Sequence, residues 1–309
     1  MLGDAAIIGA VDEQRVTSGA LQPDLSGRPG VASTADDFLP EEDRFGFWRF
    51  ARHPFFIDVN RWLVDRVAAI GPRIVDLACG PGAITELLLA RMREHTRGII
   101  YAVDPSLVEL DRARRRVASS IVRFIHGSAE NLSRLVPQVD VVVFCNAIHL
   151  VGDKQRAVQE IRSVLGPGGV LAFNSTYFKG CYVPGTERFW RSWVVRAARL
   201  LQESGITVTH THASRAAAMR WWTPEEYAQL VSEAGFVTPS WELHKVQMSP
   251  ESLEDIGQFS MFIEGALPGV PLEAGADALK RTVRGAIEDA RLGGTVPRYW
   301  LQFIAQAPA

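Results

Sequence analysis

The sequence predicts an α/β protein built on a doubly wound parallel sheet, and three observations carry this. Short β-branched and aliphatic runs, "RIVDLAC", "GIIYAVD", "IVRFIHG", "VDVVVFCNA" and "GVLAFNST", recur through residues 73–176. Amphipathic segments such as "AITELLLARMREH", "SLVELDRARRRVA" and "KQRAVQEIRSVL" separate them. Strands that are apolar on both faces need cover on both faces, and helices alternating with them supply it. A tight turn, Gly80-Pro81-Gly82, follows the first run, where a strand feeding a helix opens the ligand-binding edge of such a sheet.

Residues 1–42 mix Gly, Pro, Ser and acidic residues without periodicity and are expected to be a loosely ordered leader. In residues 43–70, "FGFWRFARHPFFIDVNRWLVDRVAAIG", aromatic and aliphatic residues recur at helical spacing with a break at Pro54, which predicts two cap helices. Residues 71–176 then form the five-stranded α/β core. After Thr176 the rhythm changes. "ERFWRSWVVRAARLLQES" and "TPEEYAQLVSEAGF" read as helices and "VTPSWELHKVQM" as a strand. Thr223 is a predicted N-cap, with Pro224 at the first helical position and Glu226 closing a capping box; Gly235 ends that helix. "SPESLEDIGQFSMFIEGAL" and "EAGADALKRTVRGAIEDARL" predict two more helices before a closing strand, "RYWLQFIAQA". Residues 177–309 thus supply helical insertions and two further strands.

Composition narrows the class of partner. A chain of 309 residues that is 47% hydrophobic can bury a large core, and a formal net charge of -2 gives no reason to expect a polyanion. The basic run Arg112, Arg114, Arg115 and Arg116 reads as the solvated face of a helix. No apolar run approaches the roughly 20 residues that span a bilayer, and Asp4 interrupts any apolar N-terminal leader, so neither nucleic acid nor membrane is expected as partner and a cytoplasmic location is. Cys79, Cys145 and Cys181 lack paired spacing, which argues against a disulfide framework or a structural zinc. His210 and His212 lack a third ligand and read as surface polar residues; no metal is expected.

In a doubly wound sheet the loops after the strands emerge at one edge. This edge collects Gly80 and Gly82, then Asp104, then Ser128 and Glu130, then Asn146 and His149, then Ser175, Thr176 and Tyr177. Asp104, about 20 residues past the glycine turn, stands where a carboxylate accepts from both hydroxyls of a ribose. The turn lacks the third glycine of a dinucleotide fingerprint, and Asp76 would repel a pyrophosphate. A nucleoside whose other end is cationic is favoured there instead, and S-adenosylmethionine is one.

On "VDLACGPGAIT", "AVDPS", "GSAENL", "VVFCNAIHLV" and "EIRSVLGPGGVLAFNS", in this order, the chain resembles the class I S-adenosylmethionine-dependent methyltransferases. It is similar in particular to the small-molecule branch related to the ubiquinone/menaquinone-biosynthesis enzymes, over about residues 70–176. The resemblance implies a doubly wound, seven-stranded Rossmann-like methyltransferase sheet with helical lid insertions, the last strand antiparallel. It implies cofactor contacts from Asp76, Gly80 and Gly82 around the methionine part, from Asp104 at the ribose and from Ser128, Ala129 and Glu130 beside the adenine, with Ala78, Pro105 and Asn146 as further cofactor-binding residues. Ser128 replaces a commoner Asp and can still accept from the adenine amine. Ala78 replaces a frequent first glycine, a minor change on account of its size.

Methyl transfer asks the protein to hold an acceptor atom in line and, for some nucleophiles, to remove a proton. His149 is the candidate general base; packing over the cofactor is its other reading. The insertions 177–222 and 249–297 rise over the edge, and Tyr177, Phe178, Tyr182, Trp190, Trp222, Phe259 and Phe262 are candidate walls for a small apolar or aromatic substrate. "RFARHPFF" would close the other side. The chain has no Asn/Asp-Pro-Pro-Tyr-type segment and no Pro-Cys dipeptide, which disfavours amide and cytosine acceptors. Two other readings stand beside this one: a thiolate site built from the three cysteines, as in arsenite methylation, and a natural-product enzyme of secondary metabolism in which the cofactor is structural and the step a cyclisation. The chain is expected to act as a monomer or homodimer.

Overall fold

The computed structural model describes residues 44–92, 98–208 and 221–309, with Phe45–Ala309 forming one unit. The leader and the His210/His212 pair lie outside the described residues. Seven strands, β1 (Arg73–Leu77), β2 (Ile99–Asp104), β3 (Val122–His126), β4 (Val139–Cys145), β5 (Leu165–Ser175), β6 (Val237–Met248) and β7 (Val296–Gln306), make one sheet. Their order is β3-β2-β1-β4-β5-β7-β6. Strands β1 to β5 pair in parallel. Strand β7 runs antiparallel to both β5 and β6 and lies between them, so its first residues reach the edge where β5 ends. The strand apolarity has the expected cause: Ile74 packs into one core cluster and its neighbour Val75 into the other, on opposite faces.

The helices are α1 (Pro54–Val67), α2 (Ala83–Met92), α3 (Leu107–Arg116), α4 (Lys154–Val164), α5 (Glu187–Glu203), α6 (Pro224–Glu233), α7 (Pro250–Ile256), α8 (Ser260–Ala266) and α9 (Leu272–Ala290). Pro54 stands at the first position of α1, after a short 3-10 helix over Phe47–Arg52. Helix α6 carries the expected capping box: the Thr223 hydroxyl accepts from the Glu226 N–H at 3.1 Å, and Glu226 accepts from the Thr223 N–H at 2.7 Å. On α3, Arg114, Arg115 and Arg116 are exposed as expected, with Arg116 paired to Glu86 at 2.9 Å and Arg115 to Asp111, whereas Arg112 is half-buried, 5.0 Å from the Trp48 ring centroid.

One element differs from expectation. "SPESLEDIGQFSMFIEGAL" is not a single helix but two, α7 and α8, parted at Gly257–Phe259. Gly257 is a poor helix former, and a Cβ there would meet Trp193 Cζ2 at 3.1 Å. The break lets Phe259 leave the helical path and meet the Phe47 ring at 5.3 Å. The two insertions are tied together as well. The Trp193 indole donates to the Leu279 carbonyl at 2.8 Å, and Arg196 pairs with Asp289 at 2.7 Å, joining α5 to α9.

Candidate active site

Strand β1 ends in a buried acid and a strained turn. Asp76 Oδ2 accepts from the Thr85 hydroxyl at 2.5 Å, while its buried Oδ1 has no hydrogen-bond partner among the described residues. Burial pushes this carboxyl up to about 7; the Thr85 bond opposes the shift, and the field of Asp104 adds to it. Asp104, closing β2, accepts from the Gly80 N–H at 2.8 Å and the Ser106 N–H at 2.8 Å, one bond on each oxygen. Each oxygen keeps a lone pair for a further donor. Burial raises the Asp104 carboxyl against those two bonds.

The turn itself has φ of 54° at Ala78, 51° at Gly80 and 84° at Gly82. A Cβ at Gly80 would meet no atom within 4 Å, as befits backbone that a ligand approaches. Gly82 is different. A Cβ there would stand 3.1 Å from Cα and Cβ of Ala113, so this glycine allows the close approach of the turn to α3. Ala78 is also not the minor change its size suggests, because it occupies left-handed backbone that favours glycine.

Beyond β3, the Ser128 N–H donates to Asn131 Oδ1 at 3.1 Å, and its hydroxyl donates to the same oxygen at 3.4 Å, leaving the hydroxyl oxygen able to accept. Ala129 is buried, Glu130 half-buried with its carbonyl accepting from Arg156, and Pro105 exposed with its carbonyl accepting from His126 Nε2 at 3.0 Å. Asn146 also has a left-handed backbone, φ 56°. Its side chain accepts from Trp300 Nε1 at 2.7 Å and donates to Asn60 Oδ1 at 3.0 Å, and its backbone N–H donates to Asn174. Asn174 Nδ2 donates to the same Asn60 oxygen at 2.8 Å, and Gln302 Nε2 to the Val59 carbonyl at 2.8 Å. This amide network, absent from the sequence reading, pins α1 to the ends of β4 and β5 and to β7.

His149 lies in a 3-10 turn after β4 and is buried, with Nδ1 3.0 Å from the Ser175 hydroxyl and its ring 4.7 Å from Tyr177. Burial, then the charges of Lys154 and Arg298, lower its basicity to about 3. Such an imidazole is neutral at physiological pH and a weak proton acceptor. Arg298, at the start of β7, was not among the residues singled out from sequence. It is 3% exposed, and Nε and Nη2 donate to the Thr176 carbonyl at 3.0 and 2.8 Å. Its Cζ sits 4.4 Å from the Trp190 ring centroid, 5.1 Å from Tyr182, 5.2 Å from Tyr177 and 5.9 Å from Trp221.

The structure brings Tyr177, Tyr182 and Trp190 together around Arg298 but separates the other candidate walls. Phe178 is fully buried in the core cluster that holds Phe144 and Phe173, so it packs and lines nothing. Trp222 stacks near Tyr227, and Phe259 and Phe262 pack against Phe47 and Trp193 on the other face of the sheet. "RFARHPFF" joins the second insertion, with His53 bonded to Asp255 at 2.7 Å. The cysteines do not form a thiolate site: all three are buried, burial pushes each thiol up, and Cys181 lies in the opposite core cluster from Cys79 and Cys145. Among the described residues no three His, Cys, Asp or Glu side chains are grouped to hold a metal, and no helix is long and apolar enough to cross a membrane.

Residues 74–169 match the protein family described as "Methyltransferase domain". The chain is similar to the methyltransferase YdaC of Bacillus subtilis, 30% identical over 116 residues that make up 37% of this chain and 62% of that protein. It is also similar to the ubiquinone/menaquinone biosynthesis C-methyltransferase UbiE of Campylobacter jejuni, 31% identical over 32% of this chain and 42% of the relative. The first curated relatives are thus matched over 44 to 62% of their own length. Among solved structures, the [4+2]-cyclase SpnF shares the fold, with a TM-score of 0.51 and 19% identity over 82% of each chain.

Proposed function

We propose, for a chain whose α/β core is a class I S-adenosylmethionine-dependent methyltransferase domain, that the whole protein transfers a methyl group from S-adenosylmethionine to a small apolar or aromatic molecule. The observation that carries this reading is the orphaned Oδ1 of Asp76, a buried carboxylate oxygen awaiting a donor beside the Gly80 turn. An ammonium or sulfonium centre would supply the missing positive charge, whereas a pyrophosphate would worsen it. Asp104 has the spare lone pairs that two ribose hydroxyls need, and Ser128 an oxygen that can accept from an amine. The residues present therefore fit this cofactor, which when bound supplies an electrophilic methyl on a sulfonium.

The chain's own part is positioning. Asp76 and Asp104 hold the nucleoside, and Gly80 lets it come close to the backbone. His149, kept neutral and fixed by Ser175, orients the acceptor rather than taking its proton. His149→Ala is accordingly expected to lower kcat without adding or removing an inflection near pH 6.5 in the pH–rate profile; loss of such an inflection from the wild type would restore the base role.

Two measurements test the whole reading. Calorimetry is expected to show heat on adding S-adenosylhomocysteine and none on adding NAD; dinucleotide uptake alone would overturn it. Tritium from methyl-labelled cofactor should then enter an organic product of a metabolite extract. Tight cofactor binding with no methyl loss would favour the non-methylating alternative.

A further inference from the structure

We propose that Arg298 is the anchor for a carboxylate carried by the acceptor, so that the substrate is an aromatic or apolar acid rather than a neutral molecule. This rests on the methyltransferase reading of the same edge and names what the acceptor must carry. The alternation along "VPRYW" puts position 298 on the inward side with Val296 and Trp300, and the guanidinium is buried there. A buried charge is retained where it is paired or where a ligand pairs it. Among the described residues Arg298 forms no ion pair. Nε and Nη2 bond the Thr176 carbonyl and hydroxyl, and the guanidinium also bonds the Tyr182 hydroxyl, so every oxygen it meets is neutral.

The surroundings are rich in donors and poor in anions. The indole N–H of Trp190, the ring nearest the guanidinium, is buried with no hydrogen-bond partner. Lys154 brings a second positive charge close enough to depress His149, and its ammonium donates to the Val151 carbonyl at 2.7 Å. Glu187 is near enough to act on Tyr182, but it bonds the Gly185 N–H at 2.9 Å and forms no ion pair with Arg298. Tyr182, Tyr177, Trp190 and Trp221 stand around the cation, which makes its surroundings aromatic and apolar. A carboxylate would supply the anion that the guanidinium lacks, and the buried Trp190 N–H is a donor without a partner beside it.

The test titrates protein saturated with S-adenosylhomocysteine with 3-phenylpropionate and indole-3-acetate, and with the primary amide of each, following tryptophan fluorescence and calorimetry. Wild type is expected to bind the acids at least about tenfold more tightly than the amides. Arg298→Gln should abolish that preference, Arg298→Lys and Trp190→Phe should reduce it, and none of the three should change affinity for S-adenosylhomocysteine. Equal binding of acid and amide, binding of neither, or a preference retained in Arg298→Gln overturns the proposal. If Arg298→Gln does not fold, the wild-type preference and its reduction in Arg298→Lys decide. Failure of S-adenosylhomocysteine to bind, with the acid preference intact, would instead remove the methyltransferase reading and leave the anion site standing.

Discussion

Ala78 holds left-handed backbone at φ 54° in the turn that shapes the cofactor edge, at a position where an L side chain costs about 1 kcal/mol. Ala78→Gly removes that strain and loses part of the gain to unfolded-chain entropy, so a stabilisation of about 0.5–1 kcal/mol is expected in urea denaturation. Two residues earlier, the role proposed for Asp76 would make cofactor binding sensitive to pH. With a carboxyl near 7 in the free protein, binding a cation below that pH must first expel a proton. Affinity for S-adenosylmethionine should therefore fall as pH is lowered from 8 to 6, approaching about tenfold per unit at the acid end. Asp76→Asn should bind weakly, with no such slope in calorimetry.

At the scale of elements, the joints between helices decide whether the edge is rigid. Gly82 lets the turn lie against α3, and Gly82→Ala would meet both a φ of 84° and Ala113 at 3.1 Å. A loss of about 1–3 kcal/mol follows, read as a lower denaturation midpoint. Trp193→Phe would remove the indole bond that ties α5 to α9, costing about 1–2 kcal/mol by the same measurement. The strands were legible in the sequence because both faces of β1, β4 and β5 are buried, which leaves nothing but aliphatic runs; the α6 cap was legible because its chemistry is local. The break at Gly257 was not, since it is set by Trp193 and Phe47, far away in the chain. Nor was the amide network, whose members Asn60 and Asn174 are 114 residues apart. Arg298 left one local signal, a lone charge at an inward position of the closing strand. Only the antiparallel pairing of β7 shows that it stands over the active edge.

Across the whole molecule, two buried groups pull stability in opposite directions as pH changes. Asp76 has a folded value near 7 against 3.8, so its contribution is full below about 4 and is lost as pH rises toward 7. His149 has a folded value near 3 against 6.5, so its contribution is full above 6.5 and is lost as pH falls toward 3. Between about pH 4 and 6.5 they largely cancel. Asp76→Asn uncovers the histidine: on going from pH 7 to 5 the ligand-free variant should lose about 2 kcal/mol more than wild type in urea denaturation. A matching pH dependence in the two proteins would show that Asp76 does not titrate as its burial implies.

The placement of β7 between β5 and β6 has a temporal consequence. During synthesis on the ribosome, β6 emerges first yet has no partner until the later strand slides in beside β5. A nascent chain stalled before residue 296 would already own both acids of the nucleoside half. The guanidinium half would not yet have been synthesised, and the flank of β5 would be bare. Chaperone contact at that stage should centre on the exposed aliphatic flank of β5, and competence to recognise an acceptor should be the last property the molecule acquires.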